Sequence, residues 1–149
     1  MYRMPREQWL QFVLTGTRTG KLAITRADGR PHVTPIWFVI DSTTDGDALV
    51  FTTHHDTVKA KAFRRDPRFS VCVDDQQPPY SYVLLEATAT LSEDLDEMLH
   101  WATRIGGRYM GAEAAEQFGR RNAVPGELLV RAPITRVIAQ ADIAGPPPR

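Results

Sequence analysis

The sequence predicts an α+β fold in which about six antiparallel strands form a closed or nearly closed barrel with inserted helices. Strand-like segments follow one another without the strand–helix alternation of a parallel sheet. The dipeptide Asp28-Gly29 between two of them is a strong hairpin signal. At 149 residues the chain has the length of one domain. We expect this domain to span residues 1–149, with a frayed proline-rich tail over residues 142–149.

The first half of the chain predicts two helices and four strands. Residues 5–16 predict a helix, because Pro5 suits its start, Gly16 is a good stop and apolar residues recur at helical spacing. This apolar stripe consists of Trp9, Leu10, Val13 and Leu14. Pro35 lies within a predicted strand and cannot donate to a ladder, which indicates an edge, a bulge or a ligand-facing gap. The four strands are expected at residues 20–26, 31–40, 48–53 and 69–74, with a loop at residues 41–47.

The second half begins with a strand and then becomes helical. Residues 82–91 predict a strand, and the alternation of polarity over residues 86–91 suits a half-solvated sheet. A helix with an acidic first turn is expected to start at Ser92, followed by a glycine-containing break at residues 106–111 and a second helix over residues 112–120. Residues 127–140 predict one long strand or two short ones around Pro133. The apolar face of the first of these helices is expected to comprise Leu95, Met98, Leu99 and Ala102.

Charge and composition argue against several classes of partner. Eighteen basic and eighteen acidic residues leave a formal net charge of zero, so nothing predicts binding to nucleic acid or to an anionic membrane. No stretch approaches the ~20 apolar residues of a membrane span. There is no recognisable secretory leader, and the single cysteine, Cys72, cannot form an internal disulfide, so we expect a cytoplasmic protein. Cys72 itself is expected to be a small core side chain.

Catalytic and metal-binding motifs are missing from the sequence. It contains no G-x-S-x-G, H-E-x-x-H, Walker or Rossmann glycine pattern. His54 and His55 are adjacent and would point to opposite faces of an extended strand, and the four histidines show no ligand spacing. We therefore expect no metal site.

The segment from Lys59 to Arg68 stands out because five of its ten residues are basic. Asp56 or Thr57 is expected to cap a helix over Val58–Arg65. Threonine hydroxyls, free amides at a helix N-terminus and a lysine ammonium can together bind a phosphate. The alternative is a surface helix that buries Val58, Ala62 and Phe63 and leaves Arg64, Arg65 and Arg68 in water. The residues alone leave both possibilities open; the phosphate candidates are Thr52, Thr53, Thr57, Lys59 and Lys61.

The order of four motifs adds a resemblance to a known family. "GKLAITRADGRPHVTPIWF", "LVFTT", "VKAKAFRRDPRFSVCVDD" and "PPYSYVLLEATATL" resemble the pyridoxamine 5′-phosphate oxidase-like split β-barrel superfamily over residues 8–141. The later motifs "RYMG" and "NAVPGELLVR" make the chain most similar to its deazaflavin (coenzyme F-420)-dependent reductases. The resemblance implies an antiparallel split β-barrel with flanking helices. It also implies a homodimer that holds its cofactor in a groove between subunits.

The resemblance also implies roles for particular residues. Lys59 and Lys61 match the clamp on the cofactor phosphate, lined by Thr52, Thr53 and Thr57. The strand residues Val33, Thr34, Pro35 and Ile36 match the backbone that faces the cofactor ring. Tyr80 and Ser81 match a loop that reaches the cofactor from the other subunit.

The function implied by this resemblance is hydride transfer from a reduced deazaflavin to a conjugated or heteroaromatic small molecule. Such a cofactor carries the chemistry itself, which explains why no catalytic constellation is visible. Tyr109 is a conceivable proton donor, although an amphipathic core tyrosine is the simpler interpretation. An FMN-dependent enzyme of the same fold and a non-catalytic deazaflavin carrier remain as alternatives.

Overall fold

Within residues 1–146, which a computed structural model of the protein describes, the chain forms nine strands and four α-helices. The strands are β1 (Tyr2–Arg3), β2 (Gly20–Thr25), β3 (Pro31–Ile36), β4 (Val39–Thr43), β5 (Gly46–His54), β6 (Arg68–Asp75), β7 (Ser81–Thr88), β8 (Thr90–Ser92) and β9 (Glu127–Ala141). The helices are α1 (Arg6–Leu14), α2 (Val58–Arg65), α3 (Leu95–Met110) and α4 (Ala115–Asn122), with a 3₁₀ turn at Ala112–Ala114.

The strands pair antiparallel in the order β3-β2-β6-β7-β9-β5-β4, and β1 and β8 also pair with β9. The predicted α+β split β-barrel is therefore confirmed. The sheet is open rather than closed, because β3 and β4 follow each other along the chain without pairing. Both are consequently free edges of the sheet.

The long strand β9 joins the two halves of the sheet. Pro133 pairs with Ala48 of β5, whereas the next residue, Ile134, pairs with Ala87 of β7. The register of β7 and β9 also shifts at this point, next to Glu86. A proline lacks an N–H to donate, so it suits the position at which a strand changes neighbours. Residues 127–140 thus form one long strand, one of the two predicted possibilities.

The barrel interior contains the main hydrophobic core. The rings of Phe51, Phe63 and Phe69 contact one another with centroids 5.1–6.1 Å apart, which fastens α2 to the sheet. A smaller cluster packs α3 against β4, β5 and β9. It consists of Val39, Val50, Met98, Trp101, Ile105 and Leu129.

Three predicted strand boundaries are wrong. The strand expected at residues 31–40 ends at Ile36, and the chain resumes as β4 after Trp37 and Phe38. The loop expected at residues 41–47 is mostly strand, because β4 and β5 are joined by a two-residue turn. The strand expected at residues 82–91 breaks at Ala89 into β7 and β8. Apolar runs indicate strands, but the neighbouring strands decide where each one ends.

The glycine break predicted at residues 106–111 is also wrong. Helix α3 continues through Gly106 and Gly107 to Met110 and ends at Gly111, whose φ of 93° favours glycine. The two internal glycines lie where α4 packs against α3. A Cβ on Gly106 would lie 2.6 Å from the Cβ of Phe118, so this glycine permits close helix packing rather than a break.

Helix caps and buried faces agree with the prediction in part. Thr57 caps α2 as expected, whereas Asp94 rather than Ser92 caps α3. Trp101 and Ile105 join Met98 and Ala102 on the buried face of α3. Four side chains expected on buried helix faces are exposed, because they lie beside the narrow stripe that contacts the sheet; these are Leu14, Val58, Leu95 and Leu99.

Cys72 was expected in the core, but it lies half-buried on the outer face of the sheet. Along β6 the inward positions belong to Phe69, Val71 and Val73. Burial, followed by the charge of Asp74, raises the pKa of the Cys72 thiol and keeps it protonated.

The C-terminal segment is hydrogen-bonded as far as it is described. The backbone N–H groups of Ile143 and Ala144 donate to the carbonyls of Tyr80 and Pro79, each at 2.9 Å. Residues 147–149, the end of the stretch expected to fray, lie outside the described residues. In the part of the chain that is described, no helix combines the length and the apolar character that crossing a membrane requires.

Candidate functional site

A cleft of about 280 Å³ opens beside the free edge strand β3. Residues from β3, β5, α2, α3 and α4 line it, and four of them belong to the predicted cofactor site. The lining consists of Pro35, Ile36, Trp37, Thr52, Lys59, Ile105 and Asn122. The fold therefore joins the predicted ring-facing strand and the predicted phosphate anchor in one cleft.

Lys59 is the charged residue of this cleft. It lies in the first turn of α2 and is half-buried, and burial lowers the pKa of its ammonium group. Among residues 1–146, no carboxylate lies within ion-pair distance of it. A desolvated cation without an anionic partner is a group that gains from binding an anion.

The other basic residues of the segment have partners or face solvent. Arg64 donates to the carbonyl of His55 at 2.8 Å, and Arg65 donates to the carbonyl of Thr25 at 3.2 Å. Arg68 pairs with Asp66 at 2.8 Å, and its hydrogen bonds lower the pKa of that carboxyl to about 2. Lys61 is exposed and does not line the cleft, because residues two apart diverge on a helix. The surface interpretation thus holds for these residues.

Two of the predicted threonines, Thr53 and Thr57, form hydrogen bonds that stabilise the N-terminus of α2. The Thr57 hydroxyl donates to the carbonyl of His54 at 3.0 Å and accepts from the N–H of Ala60 at 3.2 Å. It also lies 2.9 Å from the hydroxyl of the buried Thr53. These contacts use the full hydrogen-bonding capacity of Thr57, so it orders the helix start that carries Lys59. Thr52 is the threonine that lines the cleft.

The edge strand β3 presents its residues alternately to two sides. Val33 and Pro35 are exposed, whereas Thr34 is half-buried and Ile36 is buried. The side-chain oxygen of Thr34 is buried without a hydrogen-bond partner. Pro35 lies on a free edge, where its missing N–H costs no ladder bond. Of the three possibilities predicted for this proline, the structure shows a position on an edge strand.

Trp37 forms one wall of the cleft, and further aromatic side chains pack against it. The rings of Trp37 and Tyr109 stack with centroids 5.1 Å apart and planes 6° apart, and Phe118 lies 6.1 Å from Trp37. The Tyr109 hydroxyl donates to the carbonyl of Arg18 at 2.8 Å and accepts from the N–H of Phe38 at 3.2 Å. Burial raises the pKa of this hydroxyl, so Tyr109 fits a wall residue better than a proton donor.

Arg108 supports this wall and was missed by the sequence reasoning, although it belongs to the quoted motif "RYMG". Its guanidinium donates to the carbonyls of Phe38 at 2.6 Å, Val13 at 2.7 Å, Gly16 at 3.1 Å and Arg18 at 3.2 Å. Burial lowers its pKa. These bonds connect α1, the loop after it and the segment between β3 and β4, and so fix Trp37 beside the cleft.

The sequence also did not reveal Ile105, Asn122 and Phe118 as residues near the cleft. They approach it only when α3 and α4 pack against each other.

Tyr80 and Ser81 do not line this cleft. Tyr80 is exposed with a φ of 62°, and the Ser81 hydroxyl accepts a hydrogen bond at 3.3 Å from the N–H of Asp142. They lie beside the C-terminal segment, so a single chain does not bring them to the other predicted site residues.

His54 and His55 do not lie together on an extended strand, so they are not held on opposite faces. Strand β5 ends at His54 and the chain turns, so the two imidazole rings lie with centroids 4.5 Å apart. Asp56 completes a group of three side chains whose ligand atoms all lie within 4.8 Å of one another. The prediction of divergent side chains assumed an extended chain.

Three larger hollows contain none of the predicted site residues. One of about 610 Å³ lies on the outer face of the sheet, and its lining includes the aligned residues Ala23, Ser70 and Glu86. A second, of about 420 Å³, lies between Arg3 and residues 136–140 of β9. The third, of about 780 Å³, lies between Pro78–Pro79 and the segment that contains Asp142 and Pro146. The smaller cleft is the better candidate because it combines an unpartnered cation, an apolar floor and an aromatic wall.

Fold and cleft together describe a split-barrel protein whose cleft places the half-buried Lys59 in the same lining as Trp37 and the edge strand β3. The chain belongs to the pyridoxamine 5′-phosphate oxidase family, whose sequence pattern matches residues 6–140. This membership supports an oxidoreductase that binds a flavin-type cofactor.

Solved structures share the fold at low sequence identity. A conserved hypothetical protein from Mycobacterium tuberculosis is 25% identical, with 98% of this chain and 91% of that chain covered and a TM-score of 0.78. An F-420 reductase is 20% identical over 85% of this chain and 94% of its own, with a TM-score of 0.64. A FAD-binding protein from Mesorhizobium loti is 19% identical over 93% of both chains, with a TM-score of 0.65. No curated protein matches the chain significantly.

Proposed function

We propose that this protein is a reductase that uses the deazaflavin coenzyme F-420 to transfer a hydride to a conjugated or heteroaromatic small molecule. The observation that carries the proposal is the half-buried, unpaired Lys59 in the same cleft as the edge strand β3 and Trp37. The similar fold of an F-420 reductase is consistent with it.

The residues of the cleft fit the two parts of such a cofactor. The Lys59 ammonium would bind the cofactor phosphate next to Thr52, while Lys61, Thr53 and Thr57 would support this anchor. The backbone of Val33–Ile36 would flank the ring, since a free strand edge leaves room where a neighbouring strand is absent. The bound cofactor would supply the hydride, and the protein would bind it, orient it and exclude water.

We further propose that the active form is a homodimer. A cleft of about 280 Å³ lies near the lower end of the range for ligand pockets, so a second chain would have to enclose a larger cofactor. Tyr80 and Ser81 lie outside the cleft of their own chain, which is consistent with their reaching the cofactor of the partner subunit.

An FMN-dependent enzyme acting on a pyridoxal-type phosphate is the second candidate. The family description and the FAD-binding neighbour favour it, and the same lysine would bind the FMN phosphate. A deazaflavin carrier without turnover is the third candidate, because the cleft lining contains no obvious acid–base pair.

Purification and titration distinguish these candidates. We expect a colourless protein that binds added coenzyme F-420 more tightly than FMN. Reduced F-420 should then be oxidised only after a conjugated acceptor is added, which absorbance of the deazaflavin follows. Yellow protein that retains FMN and consumes oxygen with pyridoxamine phosphate would contradict the proposal. Binding of F-420 without any oxidation would favour the carrier.

Replacing Lys59 tests the phosphate anchor directly. Loss of a charge-assisted contact is worth about 1.5–3 kcal/mol, so Lys59→Ala should raise the dissociation constant of F-420 by roughly tenfold to a hundredfold. Arg68→Ala is the matched control, because Arg68 is already paired with Asp66 at the surface. Fluorescence titration measures both variants. Equal losses of F-420 affinity in the two variants would mean that the basic segment acts only through its overall positive charge and that Lys59 makes no specific contact.

A further inference from the structure

The cluster formed by His54, His55 and Asp56 is separate from the lining of the cofactor cleft. It occupies the turn between the end of β5 and the N-terminus of α2. All three side chains are exposed, and one ligand atom from each lies within 4.8 Å of the other two. The proposed function does not use any of them.

The main chain of this turn is held in place from several sides. The N–H of His55 donates to the carbonyl of Gly126 at 2.9 Å, and the N–H of Thr57 donates to the carbonyl of His54 at 3.2 Å. Arg64 donates to the carbonyl of His55 at 2.8 Å. The backbone of the three residues is therefore largely fixed before any ligand arrives, which lowers the entropic cost of binding.

The side chains themselves are also oriented. Nδ1 of His54 contacts a carboxylate oxygen of Asp56, which orients both side chains toward each other. Gly126, whose φ of 97° favours glycine, leaves the rings uncovered: a Cβ there would lie 3.4 Å from Nε2 of His54.

We propose that His54, His55 and Asp56 form a binding site for a divalent transition metal, with zinc as its preferred ion. Two imidazoles and one carboxylate suit zinc better than magnesium or calcium, which prefer oxygen ligands. Ligand atoms about 2.0–2.2 Å from a tetrahedral zinc ion lie about 3.3–3.6 Å apart. The ligand atoms here lie within 4.8 Å of one another, so the exposed side chains need to draw together by at most about 1.5 Å. Water completes the coordination.

Calorimetric titration of the untagged, full-length protein with zinc chloride tests the site. We expect one zinc ion per chain. His55→Gln and Asp56→Asn should each weaken binding by about tenfold or more, since even indirect partners of metal ligands contribute that much. His100→Gln is the matched control, because His100 is an exposed histidine on α3, remote in sequence from the cluster, and it should leave binding unchanged.

Two further measurements keep the result interpretable. Circular dichroism of the metal-free variants should match that of the parent protein, because the replaced side chains are exposed. Cobalt(II) should give visible d–d absorption that His55→Gln abolishes. Absence of zinc binding to the parent protein would overturn the proposal. Equal binding by the parent and all three variants would overturn it as well and would indicate adventitious surface binding.

Discussion

At the scale of single residues, Lys59 connects the sequence to the proposed chemistry. It is the basic side chain of its segment that turns into the cleft, while the neighbouring arginines bind backbone carbonyls or Asp66. Burial without an anionic partner has an electrostatic cost, and a bound phosphate would offset it. A charged side chain that raises the free energy of the free protein and stabilises the complex is typical of a binding site.

The lowered pKa of Lys59 predicts how cofactor binding depends on pH. Burial places this pKa below the ordinary lysine value of 10.5, and a bound anion would raise it again. Affinity should therefore be constant while Lys59 is protonated and should fall as the pH rises through the lowered pKa. Titrations between about pH 7 and pH 10 measure this dependence. The Lys59→Ala variant should show no such fall, and a parallel fall in both proteins would rule out Lys59 as the cause.

Arg108 predicts a stability effect that its position in the sequence does not reveal. Arg108→Met keeps the aliphatic stem but leaves four backbone carbonyls without their donor, so we expect a loss of roughly 2–4 kcal/mol in the free energy of unfolding. Urea denaturation measures this loss. Arg104→Met is the control on the same helix, since Arg104 is exposed and its guanidinium lies 4.9 Å from the centre of the Trp101 ring. It should change stability by less than about 0.5 kcal/mol, and similar losses in both variants would contradict the role of Arg108.

At the scale of elements, the packing of α4 on α3 decides whether Asn122 reaches the cleft. A Cβ on Gly119 of α4 would lie 3.1 Å from the Cα of Thr103 in α3 and closer still to its hydroxyl. Gly119→Ala should therefore separate the helices and destabilise the protein by about 1–3 kcal/mol, although alanine favours helices. Urea denaturation and cofactor titration should both detect the change.

Gly107→Ala provides the control for this prediction. A Cβ on Gly107 would meet only the Cβ of Ala115, at an ordinary distance of 3.4 Å. Because alanine is the better helix former, this change should be neutral or stabilise the protein by up to about 1 kcal/mol. If Gly107→Ala destabilised the protein as much as Gly119→Ala, close packing of α4 on α3 would not explain the effect of Gly119→Ala.

At the scale of the whole molecule, the outer face of the open sheet carries one apolar row among polar side chains. Leu84 pairs with Cys72 on one side and with Ile138 on the other, and these three outward side chains form a row across β6, β7 and β9. Val33, on the edge strand β3 beyond β2, is 61% exposed. Polar side chains flank the row on each strand, as on a sheet face that contacts water. The row is therefore the apolar part of this face that a second chain would cover in the proposed dimer.

We therefore expect light scattering to show a dimer at micromolar concentration. Leu84→Lys combined with Ile138→Lys should shift the protein to a monomer, because charged side chains would be buried at the contact. Leu99→Lys replaces an exposed leucine on α3 and should leave the dimer intact. A monomeric parent protein under the same conditions would contradict the dimer.

Local patterns were sufficient for much of the fold and for part of the site. The order of strands and helices, the cap at Thr57 and the edge position of Pro35 depend on interactions within a few residues. Such short-range preferences can be predicted directly from neighbouring residues in the sequence. The family resemblance added the barrel and pointed to Lys59. Strand ends and buried helix faces were less predictable, because they depend on neighbours that are distant along the chain.

The sequence by itself therefore determined the α+β class, most of the elements and the basic segment that begins with Lys59. Only the tertiary structure decided which of the basic side chains faces a cleft and which side chains surround it. Tyr109 and Phe38 are 71 positions apart and Arg108 and Val13 are 95 apart, yet their hydrogen bonds shape the wall beside Trp37. Likewise, His54 and His55 converge only because β5 ends between them. Contacts of this kind arise when packed elements meet, and no local pattern of residues encodes them.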